Sequence, residues 1–414
     1  MDEGERMYNY ADNQPLPATP SLREAIPCYQ PVLALDTRRI IGYEVLGRRR
    51  REGRLETLGP FFTDPRVLAS EQMRIDRHIR EQALAGLRGQ DEGQRLFLNL
   101  KPSWMHQSYQ QSGELLTLQL LNKYDIDASR IVIEVTEEAF GGSIRALVEV
   151  IDVYRQAGCL IAIDDVGTGF NNADRIAQLA PDLLKVDIHM MKQSASHSGY
   201  FGVLRSFSTL AEQIGASLLI EGVETREDLQ RAIEIGARYV QGYLFAPAGP
   251  VFCEADRFSA LVEEELEAHR QRLYAVERYW QTQSARLQEQ AGAVAELVDS
   301  AVDEDVGIER LLDVLHADCI RVYICRENGL QLSSNYRREG AHWRRQSRYQ
   351  GANWSWRPYF VSSLLAMRQR GQSGVSLTYT DLETKARIRS VSIQLGAGRI
   401  LFVDMLDPTA VHGG

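Results

Sequence analysis

The sequence has 414 residues, 44% of them apolar and 25% charged, with 32 Gly and 13 Pro. That length predicts two or three domains with room for a full core, and the composition excludes collagenous and wholly disordered chains. With 47 Lys and Arg against 56 Asp and Glu the formal charge is −9, so no global field draws the chain to nucleic acid.

Five cysteines without a CxxC pair argue against a disulfide framework or a thiolate zinc site, and the compartment they predict is a reducing cytoplasm. The acidic, polar N-terminus carries no signal-peptide pattern. No apolar run reaches the ~18 residues of a membrane span, so no transmembrane segment is expected.

From Cys28 to Phe245 short apolar runs recur: CYQPVLAL, IIGYEVL, LFLNL, IVIEV, LIAID, LLKVDI, SLLIE and YVQGYLF. Only Asp-Thr-Arg-Arg joins the first two, which predicts an antiparallel hairpin. The later connections hold amphipathic stretches of helical length, such as EQMRIDRHIREQALAGLR and SIRALVEVIDVYRQAG. The expected fold is α/β: a modified (β/α)8 TIM-like barrel with an antiparallel first strand, occupying residues 1–250.

Polar residues gather at the C-terminal ends of these runs. Glu44, Asn99, Glu134, Asp164, Asp165, Lys185, Glu221 and Gln241 occupy such positions. In a barrel those ends share one face, where active sites are built. Taken singly, each is an ordinary solvated or capping residue; taken together, they define a site.

Five carboxylates at one mouth repel and protonate unless cations compensate them. All-oxygen ligation by acids and one amide selects Mg2+ or Mn2+ over Zn2+. Five acids with Lys185 and Arg48 sum to about −3, and two divalent ions bring the site to about +1, able to receive a phosphodiester.

The ordered segments Glu44-Val45-Leu46, Leu98-Asn99-Leu100, Glu134-Val135-Thr136-Glu137, Asp164-Asp165-Val166-Gly167-Thr168-Gly169, Lys185-Val186-Asp187, Glu221-Gly222-Val223-Glu224-Thr225 and Gln241-Gly242-Tyr243-Leu244-Phe245 resemble the motifs of EAL-domain cyclic di-GMP phosphodiesterases. The resemblance spans about residues 25–250 and implies hydrolysis of cyclic di-GMP to linear pGpG. It implies that Glu44, Asn99, Glu134 and Asp164 hold one metal and that Asp164, Asp165 and Glu221 hold a second. It further implies that Lys185 orients the attacking water, Glu137 braces the Asp-Asp loop, Arg48 meets a phosphate and Gln241 meets a guanine. Val45 stands for the family's alanine and Val166 for its phenylalanine, substitutions that leave the ligands untouched. No GGDEF-like cyclase motif is present.

Residues 251–302 hold no Pro after Pro250 and predict a connecting helix, with Leu266, Leu273, Trp280, Leu287 and Val294 at intervals of seven. The companion positions are mixed, so the helix is expected to pack in a homodimer or against its own domains. Residues 303–414 read as a smaller α+β domain resembling PAS or Cache-like sensors. Within it Arg357 and Tyr359 resemble the Arg and Tyr by which Cache-like domains hold a small ligand. Arg337, Arg338, Arg344, Arg345 and Arg348 are expected on an exposed loop rather than at a nucleic-acid surface. The functional expectation is a phosphodiesterase using two Mg2+ or Mn2+ ions and modulated by this sensor. The alternative is a weak or inactive cyclic di-GMP receptor that signals to a protein partner.

Overall fold

The computed structural model describes residues 18–136, 143–167, 172–194, 197–299, 303–357, 360–361, 363–365, 367 and 373–408. Glu137 and Tyr359 lie outside the described residues, as does part of the loop after Gly167. The chain divides into two compact units with the boundary between His269 and Arg270.

In the first unit, strands β1 (Ala25–Ala34), β2 (Arg39–Arg51), β4 (Arg95–Leu100), β5 (Ile131–Val135), β6 (Leu160–Ile163), β7 (Leu183–Val186), β8 (Ser217–Ile220) and β9 (Tyr239–Gln241) close into a barrel. The first strand is antiparallel to both neighbours, β2 and β9, and all other barrel pairings are parallel. The expected irregular eight-stranded α/β barrel is therefore the observed fold.

Alternation along each strand places its side chains in two separate cores. Val32, Phe97, Val132, Ala162, Leu183, Leu219 and Tyr239 form one cluster, which fills the barrel interior. Leu98, Ile133, Ile161, Leu184, Leu218 and Val240 face outward and pack beneath the helices, among them Ile144–Ala157 and Arg226–Ile235. Both faces of the strands are thus apolar, which explains why they read as continuous apolar runs. Thr225 and Asp228 form a reciprocal capping box at the start of the helix Arg226–Ile235, fixing the exit from β8.

The basic run after Glu44 is not only a solvated face. It forms the outer half of β2 and pairs with a further strand, β3 (Arg54–Thr57), that the sequence pattern does not disclose. In the last barrel segment only Tyr239–Gln241 is strand; at Gly242 the chain turns, and a Cβ there would lie 2.0 Å from the Val223 carbonyl oxygen.

The long helix Ser259–Asp299 crosses the boundary between the units. Its heptad positions do not form a continuous apolar seam. Leu266 packs with the first unit's core, Leu273 is exposed, and Trp280 and Leu287 are buried in the second unit's core.

The second unit is an antiparallel sheet in the order β12 (His342–Gln346), β11 (Asn335–Glu339), β10 (Cys319–Arg326), β16 (Arg399–Leu406), β15 (Arg387–Gln394), β13 (Ser373–Val375), with β14 (Tyr379–Thr380) also on β15. Val322, Ile324, Val391 and Val403 meet Trp280, Leu287 and the helix Glu304–Leu312 on one face. Tyr323, Cys325, Ile400 and Phe402 meet Phe360 and Met367 on the other.

Of the arginines expected on a loop, Arg337, Arg338, Arg344 and Arg345 instead form the hairpin β11–β12, and Arg348 lies in the short helical turn Ser347–Tyr349 that follows. Arg338 stacks over Trp343, Arg345 pairs with buried Asp305, and Arg337 pairs with Glu339 at 2.6 Å. In the segment GLQLSSNY only Asn335 and Tyr336 belong to β11. Before that Ser333 donates to the Ser334 carbonyl, and the Ser334 hydroxyl donates to Asp305.

Candidate active site

Two residues beyond the barrel-filling layer, the same inward-facing positions change from apolar to polar. Phe97 gives way to Asn99, Val132 to Glu134, Ala162 to Asp164, Leu183 to Lys185, Leu219 to Glu221 and Tyr239 to Gln241. Strand period two therefore brings these side chains into one ring at the C-terminal mouth. Cross-strand pairing agrees: Asn99 stands opposite Glu134, and Gln30 opposite Glu44.

Lys185 occupies the middle of the acids. Its ammonium lies 2.7 Å from Glu134 Oε1, 2.7 Å from Glu221 Oε1 and 3.2 Å from Asp164 Oδ1, and the side chain is 1% exposed. Burial works against its charge, but the surrounding carboxylates outweigh it and hold the pKa well above the usual lysine value. Burial also pushes Glu134 well above the ordinary carboxylate range and Glu221 up to about 8, with Lys185 opposing both shifts. Asp164 is held below its usual value because Lys185 and hydrogen bonds to its carboxylate overcome the burial that would raise it.

Glu44 is engaged differently. Asn99 Nδ2 donates to its Oε1 at 2.7 Å and Gln241 Nε2 to its Oε2 at 2.6 Å. Gln241 also donates to Gln30 Oε1 at 3.2 Å. Sequence reasoning passed over Gln30. The antiparallel β1 reaches the mouth through its N-terminal half, so the polar residue there sits early in the apolar run instead of ending it.

Asp165 is exposed, with φ 54° and its N–H donating to Asp164 Oδ1 at 3.0 Å. Val166 N–H donates to the Lys185 carbonyl at 2.9 Å, tying this turn to β7. A pocket of about 580 Å³ opens beside the ring, lined by Arg48, Asn99, Lys101, Trp104, Thr136 and Asp165 among others. Arg48 hydrogen-bonds the Gly47 carbonyl at 3.0 Å and pairs with no carboxylate among the described residues, so its charge is available to an anion. Lys101 and Trp104, which sequence analysis did not single out, add a cation stacked on an aromatic face 4.6 Å away.

The donor set fits hard divalent cations. Apart from their ion pairs with Lys185, Glu134 Oε1 and Oε2 and Glu221 Oε1 are buried without a hydrogen-bond partner among the described residues. Buried carboxylate oxygens in that condition call for positive charge. Among the described residues no three acids are spaced to hold a metal ion as they stand; Glu134, Glu221 and Asp164 converge on the Lys185 ammonium instead.

The site is an acid-ringed barrel mouth with one central lysine and the amides of Gln30, Asn99 and Gln241. Comparison with known proteins gives the family. Residues 14–248 match the EAL domain family and residues 254–407 match an EAL-domain associated signalling protein domain, so the chain belongs to the EAL-domain proteins.

The EAL-domain containing protein YkuI of Bacillus subtilis is 32% identical over 94% of this chain and 96% of its own length. A crystal structure of YkuI with c-di-GMP, described as its substrate, and calcium matches 98% of this chain and 99% of that one, with a TM-score of 0.85 and 31% identity. The cyclic di-GMP phosphodiesterase RocR of Pseudomonas aeruginosa is 30% identical over 54% of this chain and 57% of its own length. No helix of the described residues is long and apolar enough to cross a membrane, and all five cysteines are free thiols.

Proposed function

We propose that the barrel hydrolyses cyclic di-GMP to linear pGpG. The observation that carries this reading is the single inward-facing ring of Glu44, Asn99, Glu134, Asp164, Lys185, Glu221 and Gln241 at the barrel mouth. The likeness to YkuI with bound c-di-GMP and calcium supports it.

Glu44, Asn99, Glu134 and Asp164 would hold one Mg2+ or Mn2+, and Asp164, Asp165 and Glu221 the other. When bound, such a pair of ions supplies Lewis acidity to the phosphodiester oxygens and lowers the pKa of the attacking water. Lys185, already ion-paired with three acids, positions that water and holds a positive charge beside the phosphate. Arg48 meets a non-bridging phosphate oxygen from the pocket wall, and Gln241, steered by Gln30 and Glu44, meets a guanine edge. Glu137 is assigned to bracing the Asp-Asp turn on resemblance alone.

In this account residues 1–250 form the catalytic domain, 251–302 the connecting helix and 303–414 a PAS- or Cache-like sensor that modulates turnover. The working form is a homodimer in the cytoplasm, with a small ligand and no nucleic acid at the sensor. A direct test compares the wild-type chain with Glu44→Gln and Lys185→Met by chromatography of pGpG. Both variants are expected to lose turnover by at least about 10²-fold, the scale of removing one electrostatic stabiliser of a developing charge. Equal turnover in wild type and Lys185→Met would overturn the assignment.

A further inference from the structure

The second unit contains a pocket of about 290 Å³ that the barrel chemistry does not use. Arg321, Tyr323, Tyr349, Trp354, Arg357 and Asp381 are among its lining residues. The pocket is built rather than incidental, because its walls are held by hydrogen bonds. Trp354 Nε1 donates to buried Gln331 at 2.6 Å, the Tyr349 hydroxyl donates to Glu383, and the Tyr379 hydroxyl lies 2.7 Å from Ser390 Oγ. In its floor Arg321, 9% exposed, donates to Asp381 and Asp404, each at 2.9 Å.

The three acids of the lining are engaged: Arg321 meets Asp381, Glu383 and Asp404, and Arg337 and Arg348 also meet Glu383 from beside the pocket. Arg357 has no carboxylate partner among the described residues; its guanidinium lies 4.5 Å from the Trp356 ring and 5.8 Å from the Trp354 ring. Among the described residues its Nε is buried without an acceptor, and so is the Nε of Arg321. Two orphaned guanidinium donors lining one cavity call for acceptor oxygens there.

We propose that this pocket binds a small organic monocarboxylate with a flat apolar body, the carboxylate meeting Arg357 and the body lying against Trp354, Tyr349 and Tyr323. A planar carboxylate matches the guanidinium fork, and the aromatic walls favour an apolar body over a hydrated inorganic ion. The three acids across the pocket disfavour a second negative charge. The volume, just under the usual range for drug-sized ligands, limits the occupant to a small metabolite. This proposal rests on reading residues 303–414 as a ligand-binding sensor and not on the barrel being an active phosphodiesterase, so binding and hydrolysis fail separately.

The test is calorimetric titration of the full-length chain with benzoate, its neutral isostere benzamide, and inorganic phosphate. Benzoate is expected to bind saturably, and benzamide and phosphate at least about tenfold more weakly, the effect of one charge-assisted hydrogen bond. Arg357→Gln should reduce benzoate to the benzamide level while benzamide binding stays unchanged, which also reports an intact fold. Arg357→Lys, which keeps the charge and loses the fork, should fall between. Benzoate and benzamide binding equally, phosphate binding as tightly as benzoate, unchanged benzoate affinity in Arg357→Gln, or no saturable benzoate binding up to ~20 mM would each overturn the proposal.

Discussion

Replacing Lys185 by Met in metal-free protein removes the cation that buried Glu134 and half-buried Asp164 and Glu221 share. Glu134 is fully buried and cannot replace its ion pair with water, whereas Glu221, 23% exposed, recovers part of its hydration. Breaking a buried ion pair by deleting one partner costs about 3–5 kcal/mol. Read through hydrogen exchange of β5 and β7, that loss speeds exchange roughly 10²- to 10⁴-fold where strand opening governs it.

The penalty depends on pH with a definite sign. Glu134 and Glu221 have folded pKa values raised above the unfolded value, with Glu221 at about 8. Their contribution to stability is fully present below the unfolded pKa near 4.5 and is lost as pH rises through the folded values. Without Lys185 the acids take up protons more readily. The variant should therefore be least impaired near pH 5 and most impaired above pH 8. A loss below about 1 kcal/mol at both pH values, the scale of an exposed pair, would refute the claim that Lys185 is the internal counter-ion.

Three further outcomes are expected. Arg48→Gln should raise the KM for cyclic di-GMP more than it lowers kcat, by about tenfold for one lost charge-assisted phosphate contact, as read by steady-state kinetics. Gly242→Ala should cost about 1–3 kcal/mol in thermal unfolding and lower turnover, because its Cβ meets the Val223 backbone at 2.0 Å and pushes Gln241 out of the ring. Asp381 is resisted by burial but held down to about 2 by Arg321 and Thr384, against an ordinary 3.8. Its contribution is present above pH 4 and lost as pH falls toward 2, so Asp381→Asn should cost about 2 kcal/mol at pH 7 and little at pH 2 in acid unfolding.

The barrel was legible because its strands are apolar on both faces and change character at one level. Phe97 to Asn99 and Leu183 to Lys185 show that change within a few residues of sequence. The residues that escaped did so for identifiable reasons. Gln30 lies on the one strand that runs against the others, where the mouth is reached early in the apolar run and not at its end.

The hairpin β11–β12 escaped because His342–Gln346 has no fully buried position and so carries no alternation, its arginines finding their partners on neighbouring elements. Arg321 was hidden inside the apolar run Cys319–Arg326, where a buried counter-ion pair makes an arginine behave as a core residue. The heptad in the long helix was genuine as spacing, but its members serve two different cores, which periodicity cannot distinguish.

The central claim is tested most directly by incubating the purified chain with cyclic di-GMP and Mn2+ in water enriched in oxygen-18, then analysing the product by mass spectrometry. The account predicts pGpG carrying a single label on its 5′-phosphate, formed only with the divalent ion and stopped by chelation. Tight binding of cyclic di-GMP with no labelled pGpG in Mg2+ or Mn2+ would contradict it and make the barrel a receptor.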